Sequence, residues 1–596
     1  MTSTPVKKRR GQPGRGQPRK SAVETNRSTK AVYSAKAGDS DSGSTLRFFP
    51  SDYNLKDNVW FPRAEFASSE FSYSVGDEFE TAIHRIVTSA KDKSLFSSEL
   101  LDEIHDWPSR YHLCATRANL LRPFQRLFRS RVLEVGAGCG ALTRFLGECG
   151  GTIFAIEESP RRARITRARV SDLTNVSVVC DRVEEFHVRE KFDVVVVVGI
   201  LEYARIFGFQ GDKPEQRFLN HMLRMLSDEG VLILAIENQL GLKYFAGAFE
   251  DHLGVPYAGT NDEYTCRSPV TFGLGGLQNL LAQRGLTQQR CFLPLPDYKL
   301  PISIISQAGL DEPRFDAEAF FVQSVNTDVQ LPQSFPFSLE RAWSLAVRNQ
   351  LAQPLANSFL IVAGRNARSV TEAAAANCLA WHYSTKRHPA FAEETRFLRT
   401  SLDIIIKKRG VCDVDKADIP NVPLDNMLAE VPYRKGVNYW LELVSVVNRR
   451  GWSVRDIAKW SRKWIDLVVQ ESGGQAFDSR CFFGLVSGDL LDATPFNCVL
   501  DTKGRLQLID QEWHARFSPE LGYILFRGLR ESILRVTSCA EPEPGTPTLV
   551  NPLIAAVFTE LGVRVEDSDV DRFACFELQV QSWVSGRSDE RGIPGA

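Results

Sequence analysis

Runs of apolar residues alternate with amphipathic stretches along the first half of the chain. The apolar runs predict buried strands at 132–135, 152–156, 176–180, 192–201 and 230–238. Five consecutive valines in the fourth run are typical of a strand buried on both faces. Between the first two runs, Leu142, Phe145 and Leu146 share one face of a predicted helix at 141–148. This alternation predicts a parallel sheet covered by helices on both faces.

The second half of the chain has a less regular pattern. We predict strands at 357–363 and 379–386, a helix at 391–399, and helices within 440–470. The predicted fold class is therefore α/β, with a doubly wound, Rossmann-like sheet followed by a separate α+β unit.

Residues 1–45 differ from the rest in composition. They contain ten Lys or Arg and three Asp or Glu among many Gly, Pro, Ser and Thr. Such a segment buries too little apolar surface to fold, so we predict a disordered basic tail. Its basic clusters suit nucleic acid or acidic lipid headgroups. We favour a solvated tail whose contacts with either are weak and non-specific.

The overall composition limits the function classes. The 596 residues are 43% hydrophobic and 24% charged, with a net charge of −1, so the net charge of the whole molecule does not indicate a polyanion-binding protein. This length predicts two or three domains. The 12 cysteines include no C-x-x-C pair, which fits a reducing cytoplasm. No apolar run approaches ~18 residues and no secretory signal is present, so we expect no membrane span and a cytoplasmic location.

A glycine-rich turn follows the first strand. Gly136, Gly138 and Gly140 let the backbone approach a ligand where a side chain would collide. Glu134 precedes them, and Glu157 ends the next apolar run, the position of the acid that binds ribose hydroxyls in doubly wound nucleotide sites. The spacing is G-x-G-x-G, whereas dinucleotide folds use G-x-G-x-x-G.

This turn resembles motif I of class I S-adenosylmethionine (SAM) methyltransferases. The resemblance implies SAM as cofactor, with Glu157 on the ribose, Asp181 reading the adenine amino group and Gly199 beside the methyl group. It also implies that a segment before motif I closes over SAM, where an Arg or Tyr can meet the carboxylate. Tyr111 is our candidate ahead of Arg110 and His112, and a helix cap with solvated charges is the alternative. The residues expected to bind SAM are Tyr111, Glu134, Gly136, Gly138, Gly140, Glu157, Asp181 and Gly199.

The methyl acceptor has fewer candidate residues. Transfer to a hydroxyl often needs a base, and His252 is our candidate because an ordinary histidine titrates near neutrality. A structural histidine is the alternative, and a phosphate acceptor would need no base. Asp297, Tyr298 and Lys299 are expected to shape the acceptor pocket.

The C-terminal half carries a second pattern. Asp492 and Asn497 have the D-x-x-x-x-N spacing, and a predicted hairpin turning at 501–504 leads to Asp510. The pattern resembles kinases and aminoglycoside phosphotransferases. That resemblance implies that Asp492 orients a hydroxyl, while Asn497 and Asp510 hold Mg²⁺ on the phosphates of ATP. Asp489 lies eight residues from Asn497, so we prefer Asp492.

A lysine–glutamate pair that positions ATP would also be expected. Lys386 with Glu393 or Glu394 is the candidate pair, and solvated charges are the alternative. The glycine of a D-F-G motif and a G-x-G-x-x-G loop are absent from the sequence. A kinase-like fold without catalytic activity therefore stays open.

Taken together, the chain resembles bifunctional methyltransferase–kinase proteins of bacterial O-antigen and other surface-polysaccharide clusters. The resemblance implies a methyltransferase domain with a helical lead-in at 46–325 and a two-lobed kinase-like domain at 326–596. It implies O-methylation of a saccharide, sugar phosphate or lipid-linked glycan, with glycosyltransferase partners near the inner membrane. Two alternatives remain: a kinase-like module that only recognises another small molecule, and a nucleic-acid methyltransferase guided by the tail. The missing Asn-Pro-Pro-Tyr motif after Val198 counts against the second.

Overall fold

The computed structural model describes residues 52–63, 76–209, 211–373, 377–412, 414 and 422–587. The predicted basic tail, 1–45, lies outside the described residues. The strands, in chain order, are β1 (Tyr53–Lys56), β2 (Val59–Pro62), β3 (Arg131–Val135), β4 (Thr152–Glu157), β5 (Val176–Cys180), β6 (Phe192–Val198), β7 (Leu226–Glu237), β8 (Gln288–Leu295), β9 (Ser303–Ser306), β10 (Ser358–Gly364), β11 (Cys378–Ser384), β12 (Glu393–Arg399), β13 (Ile404–Gly410), β14 (Leu424–Asn426), β15 (Glu430–Pro432), β16 (Val437–Asn438), β17 (Cys498–Leu500), β18 (Leu506–Leu508) and β19 (Trp513–Ala515).

A large mixed sheet organises the described residues. Its strand order is β1-β2-β5-β4-β3-β6-β7-β10-β8-β9-β11-β12-β13-β15. From β2 to β7 neighbouring strands are parallel, which confirms the predicted parallel sheet. The carboxyl ends of β3, β4, β5, β6 and β7 therefore meet at one edge, where ligands of open α/β sheets bind.

Helices cover the parallel part of the sheet, as the alternation predicted. The helix Ala141–Glu148 has the predicted bounds, and buries Leu142, Phe145 and Leu146. The other α-helices of this half are Asp77–Ser89, Ser98–Leu101, Trp107–Leu113, Pro160–Arg169, Pro214–Met225, Leu242–Phe245, Leu274–Ala282, Gln307–Asp311 and Ala317–Ser324.

Strand β10 joins the two halves of the chain. It was predicted as a strand of the second domain, but it lies between β7 and β8 and is antiparallel to both. All seven of its residues are buried, which requires a paired strand along each edge and packed side chains on each face of the sheet. The sheet therefore continues past the predicted boundary at residue 326.

Most of the segment 391–399 is a strand, so the predicted helix there is wrong. Residues Glu393–Arg399 form β12, which pairs with β11 and β13 along its whole length. Its acidic and basic residues favour a helix in isolation, but pairing on both edges outweighs that weak preference. The charged side chains at its start are buried among opposite charges rather than solvated.

The C-terminal part is mainly helical. Helices Trp440–Val447 and Val454–Glu471 confirm the prediction for 440–470, and β17 and β18 form the hairpin that turns at 501–504. The remaining α-helices are Leu339–Arg348, Ala352–Leu355, Ala367–Ala373, Leu521–Leu534, Val550–Glu560 and Asp567–Ser585. None of the helices in the described ranges has the combined length and apolarity that membrane crossing requires.

Candidate active site

The glycine turn links β3 to the helix Ala141–Glu148. Gly136, Gly138 and Gly140 have φ angles of 79°, 57° and 83°, the left-handed region that favours glycine. A Cβ at Gly136 would lie 2.1 Å from Cδ1 of Ile200, whereas a Cβ at Gly138 would meet nothing within 4 Å. The backbone at Gly138 therefore borders open space, which suits close approach of a ligand.

Glu157 lies directly beside this turn. It ends β4, and its Oε2 accepts a 2.8 Å hydrogen bond from the backbone N–H of Gly138. Its Oε1 accepts one of 3.0 Å from Ser159. Burial raises the pKa of Glu157. The carboxylate is thus fixed next to the opening at Gly138, and each oxygen retains a lone pair for a ligand hydroxyl.

Glu134 is buried in β3 below the turn. Its Oε2 has no hydrogen-bond partner among the described residues. Burial raises its pKa to about 8, although Thr143 and Arg117 act in the opposite direction. At neutral pH this side chain is therefore largely protonated, so it packs as a neutral group under the turn.

Asp181 follows β5 and is already engaged. The Tyr53 hydroxyl, on β1, donates to its Oδ2, and the backbone N–H of Arg182 donates to Oδ1 at 2.8 Å. Burial raises the pKa of Asp181. The β1–β2 hairpin extends the sheet beyond β5, and the structure adds Tyr53 to the surroundings of the predicted adenine-reading residue.

Tyr111 contacts a buried arginine that the sequence analysis missed. Arg117 donates from Nη2 to the Tyr111 hydroxyl at 2.8 Å, and its guanidinium lies 4.5 Å from the centre of the ring. Its Nη1 donates to the carbonyl oxygens of Tyr298 and Lys299, both at 3.0 Å. Arg117 thereby ties the segment before motif I to the predicted acceptor pocket. Its position among apolar residues after Tyr111 was the available signal.

A cluster of buried polar groups lies at the carboxyl ends of β6 and β7. It contains Glu202, Glu237 and His252, whose ligand atoms lie within 4.8 Å of one another. Gly199 has a φ of 67°, and a Cβ there would be 2.8 Å from the Tyr298 hydroxyl and 3.5 Å from Oε1 of Glu202. The cluster therefore adjoins the predicted methyl-transfer position. The sequence analysis did not single out either glutamate, although Glu202 follows the apolar strand β6 and Glu237 ends the apolar strand β7.

His252 is held by two partners in this cluster. Its Nδ1 shares a 3.1 Å hydrogen bond with the Tyr203 hydroxyl, and its Nε2 lies 3.5 Å from Oε2 of Glu237. The negative charge of Glu237 raises the pKa of His252 to about 9 despite burial. This pKa lies above the neutral range that the sequence analysis assumed for a base.

Buried ion pairs made by Lys299 and Lys243 lie next to the cluster of Glu202, Glu237 and His252. Lys299 donates from Nζ to Oε1 of Glu237 at 2.6 Å and to Oδ1 of Asp251 at 2.8 Å. Lys243 donates to Oδ2 of Asp297 at 3.3 Å. Tyr298 donates to Oε1 of Glu237 at 3.0 Å. The structure thus places Tyr298 and Lys299 against Glu237, and Asp297 against Lys243.

A second cluster forms in the C-terminal part. Asp492 is buried, and Nδ2 of Asn497 donates to its backbone carbonyl at 3.1 Å. Burial raises the pKa of Asp492 to about 7. Asp510 is exposed at a φ of 53°, and its Oδ1 lies 2.6 Å from Nζ of Lys408. Asp492 and Asp510 are close enough to influence each other electrostatically.

Lys408 is the lysine of this cluster, and the predicted pairing of Lys386 is wrong. Nζ of Lys408, on β13, lies 3.6 Å from Glu393 and 3.2 Å from Glu512. Lys386 is instead exposed, and Arg110 and Cys114 lie near enough to influence its pKa. The error follows from the mistaken helix at 391–399, because β12 brings Glu393 opposite β13.

Asp489, the residue not preferred in the sequence analysis, lies outside this second cluster. It is exposed, and its carboxylate hydrogen-bonds Nδ1 of His514 at 2.5 Å and the Ser487 hydroxyl at 2.8 Å.

Part of the first site lies within a segment shared with known proteins. Residues 133–232 match the family model of a methyltransferase domain. This methyltransferase segment runs from β3 into β7, so it contains the glycine turn, Glu157, Asp181 and Glu202. Tyr111, Glu237 and His252 lie outside it.

Two relatives match parts of the chain. The ubiquinone biosynthesis O-methyltransferase of Bradyrhizobium diazoefficiens is 27% identical over 128 residues, covering 20% of this chain and 47% of that protein. Nodulation protein S of Rhizobium tropici is 32% identical over 105 residues, covering 17% and 42%. The chain thus spans less than half the length of these relatives. The solved structure of the N-methyltransferase NodS from Bradyrhizobium japonicum WM9 aligns at 18% identity over 30% of this chain and 85% of that one, with a TM-score of 0.23.

Proposed function

We propose that this protein is a SAM-dependent methyltransferase. The observation that carries the proposal is the open space at Gly138 beside the fixed carboxylate of Glu157, inside a segment that matches a methyltransferase domain. SAM would supply the methyl group. Glu157 accepts hydrogen bonds from ribose hydroxyls, and Arg117 with Tyr111 faces the carboxylate of the methionine part.

The methyl acceptor is proposed to be an oxygen of a saccharide or sugar phosphate. One relative is named an O-methyltransferase, which supports oxygen as the acceptor atom. The carboxylates, Lys299 and His252 around Gly199 give the acceptor side a polar lining that suits sugar hydroxyls. The protein's main contribution is to align acceptor and donor, because the sulfonium is already a reactive methyl source.

An apolar rim on the loop that carries His252 supports a lipid-linked acceptor. Phe245, Phe249, Val255 and Tyr257 are all exposed, Phe249 to 60%. Exposed aromatic and aliphatic groups beside a polar pocket fit a substrate with both a polar head and an apolar chain. A lipid-linked glycan has this character.

Comparing glycans from cells with and without this chain tests the proposed acceptor. Mass spectrometry is expected to show the mass of one methyl group lost from a surface glycan when the chain is absent. Restoring the chain with Glu157→Ala should leave the glycan unmethylated, whereas Glu103→Ala, an exposed control, should restore the methyl group. Unchanged glycans would contradict the saccharide acceptor.

A second candidate function is phosphotransfer at the C-terminal cluster. The contact between Lys408 and Asp510, next to Asp492 and Asn497, favours it because a lysine and an aspartate that meet there can bind phosphates and Mg²⁺. We propose ATP and Mg²⁺ as the ligands. Magnesium-dependent phosphotransfer that Asp510→Ala abolishes is the expected result. Absence of ATP binding would instead favour a recognition module without catalysis.

A nucleic-acid substrate is the remaining alternative. Its only support is the basic composition of residues 1–45. Deleting these residues should leave methyl transfer to the saccharide unchanged. Loss of activity together with methylation of RNA or DNA by the full chain would favour the alternative.

A further inference from the structure

Three buried side chains at the acceptor side offer metal-ligand atoms that make no hydrogen bond to a described residue. Glu202 and Glu237 are 0% and 1% exposed, and the His252 side chain is 5% exposed. Both carboxylate oxygens of Glu202, Oε2 of Glu237 and Nε2 of His252 have no hydrogen-bond partner among the described residues. Nε2 of His252 and Oε2 of Glu237 form an ion pair at 3.5 Å, and Glu202 has no hydrogen-bond partner for either oxygen among the described residues. Buried polar atoms are normally hydrogen-bonded, so this cluster requires an explanation.

The spacing of these atoms suits a metal ion. The three residues each present a ligand atom, and all of these atoms lie within 4.8 Å of one another. Ligands at roughly 2.0–2.4 Å from a cation lie up to about 4.8 Å apart on opposite sides of it. The three groups therefore need little movement to surround one ion.

The surroundings hold these ligands in the orientation that metal sites use. Nδ1 of His252 bonds the Tyr203 hydroxyl, which directs Nε2 towards the two glutamates. Tyr298 and Lys299 occupy Oε1 of Glu237, which leaves Oε2 facing the cluster. A metal-bound histidine or carboxylate typically has its other polar atom fixed by such an outer partner.

The local charge also favours a cation. The basic side chains paired within this buried region are Lys243, Lys299 and His252. The acidic side chains around them outnumber them: Glu202, Glu237, Asp251, Asp297 and Asp328. Excess buried negative charge is costly unless it is paired or coordinates a metal.

We propose that Glu202, Glu237 and His252 bind one divalent first-row metal ion, of which Mn²⁺ and Zn²⁺ fit best. Two carboxylate oxygens and one imidazole nitrogen combine the ligand types that these ions accept. Three protein ligands leave coordination positions for the acceptor. The metal-binding site is inferred from the positions of these three side chains alone. Its role in catalysis rests on the proposed methyl transfer.

In that role the ion binds the acceptor hydroxyl and makes its proton more acidic. The proton leaves to solvent water as the oxygen forms its bond to the methyl carbon. The carbon–sulfur bond breaks, and sulfur keeps the electron pair as a neutral thioether. His252 then serves as a ligand rather than as the base.

Metal binding can be measured directly on the full chain. After treatment with a chelator, Mn²⁺ is titrated into the protein and the signal of free Mn²⁺ is followed by electron paramagnetic resonance, with Zn²⁺ as competitor. Because Asp510 and Asn497 form another candidate cation site, the titration uses the Asp510→Asn variant as the background. We expect one Mn²⁺ per chain, displaced by Zn²⁺.

Three further variants locate the ion. Glu202→Gln and His252→Gln should each weaken Mn²⁺ binding at least tenfold, and Tyr203→Phe by about tenfold. Glu103→Gln, an exposed carboxylate, is the matched control and should bind normally. Circular dichroism melting of each variant shows that it is folded, and Tyr203→Phe, which removes no ligand, tests the site even if a ligand variant unfolds.

Binding of S-adenosylhomocysteine separates the two proposals. A chain that binds this ligand but takes up neither Mn²⁺ nor Zn²⁺ overturns the metal site and leaves the methyltransferase intact. Mn²⁺ binding that is unchanged by Glu202→Gln, His252→Gln and Tyr203→Phe also overturns it. If the chain binds the metal but not S-adenosylhomocysteine, the metal site is confirmed and its proposed role in methyl transfer is contradicted.

Discussion

At the residue scale, the opening at Gly138 is the feature most specific to ligand binding. Gly138→Ala places a methyl group where the ligand would lie, at a φ of 57° that an alanine adopts at a cost of roughly 1–2 kcal/mol. Gly150→Ala is a matched control, because Gly150 has a φ of 90° and nothing within 4 Å, but lies outside the site.

Both glycine variants should lose similar stability, and only Gly138→Ala should also lose at least tenfold in affinity for S-adenosylhomocysteine. Calorimetric titration and thermal melting measure the two effects. Equal affinities in the two variants would show that the space at Gly138 is not the ligand site.

Glu134 gives a pH-dependent prediction at the same scale. Its pKa is about 8 in the folded protein and 4.5 in the unfolded chain. Between these values the folded state retains a proton that the unfolded chain releases, so the free energy of unfolding falls as pH rises. The slope is at most about 1.4 kcal/mol per pH unit.

Glu134→Gln removes this titration. The variant should therefore gain stability relative to the unchanged protein as the pH rises from about 5 to about 8, which urea unfolding at several pH values measures. A constant difference over that range would contradict the pKa shift.

At the element scale, β10 shows how the two halves depend on each other. Leu360 is fully buried in this strand. Leu360→Ala should lower the free energy of unfolding by about 2–5 kcal/mol, because it leaves a cavity between two packed layers. Since β10 pairs directly with β7, which ends in Glu237, S-adenosylhomocysteine affinity should fall as well. Two separate unfolding transitions with unchanged affinity would show that the strand belongs to an independent unit.

Most elements of the first half could be predicted because each is encoded locally. The apolar runs that form β3, β5, β6 and β7 and the helix Ala141–Glu148 are contiguous in sequence. The position of β10 could not be predicted, because its partners β7 and β8 lie far away in the sequence. The strand character of β12 could not be predicted either, because it depends on pairing with β11 on one side and β13 on the other rather than on its own residues.

The same limit explains which site residues were missed. Gly136, Gly138, Gly140 and Glu157 form a recognisable local pattern. Arg117 and the cluster of Glu202, Glu237 and His252 assemble only when β6, β7 and distant loops come together. Lys408 was missed for the same reason, because its pairing with Asp510 spans more than a hundred residues.

At the scale of the whole molecule, the continuous sheet predicts that the chain cannot be divided at residue 325. A fragment ending there lacks β10 and leaves the facing edges of β7 and β8 unpaired, which favours aggregation. A fragment ending at residue 587 retains every described strand. Expression of both should give soluble protein that binds S-adenosylhomocysteine only from the longer one. A soluble, binding-competent shorter fragment would contradict the shared sheet.

The central claim is that a sulfonium nucleoside binds between the glycine turn and Glu157. Isothermal titration of the full chain with S-adenosylhomocysteine tests it most directly. The account predicts one binding site per chain, with affinity reduced at least tenfold by Glu157→Ala and unchanged by Glu103→Ala. No heat of binding to the folded protein, or equal affinity in all three proteins, would contradict it.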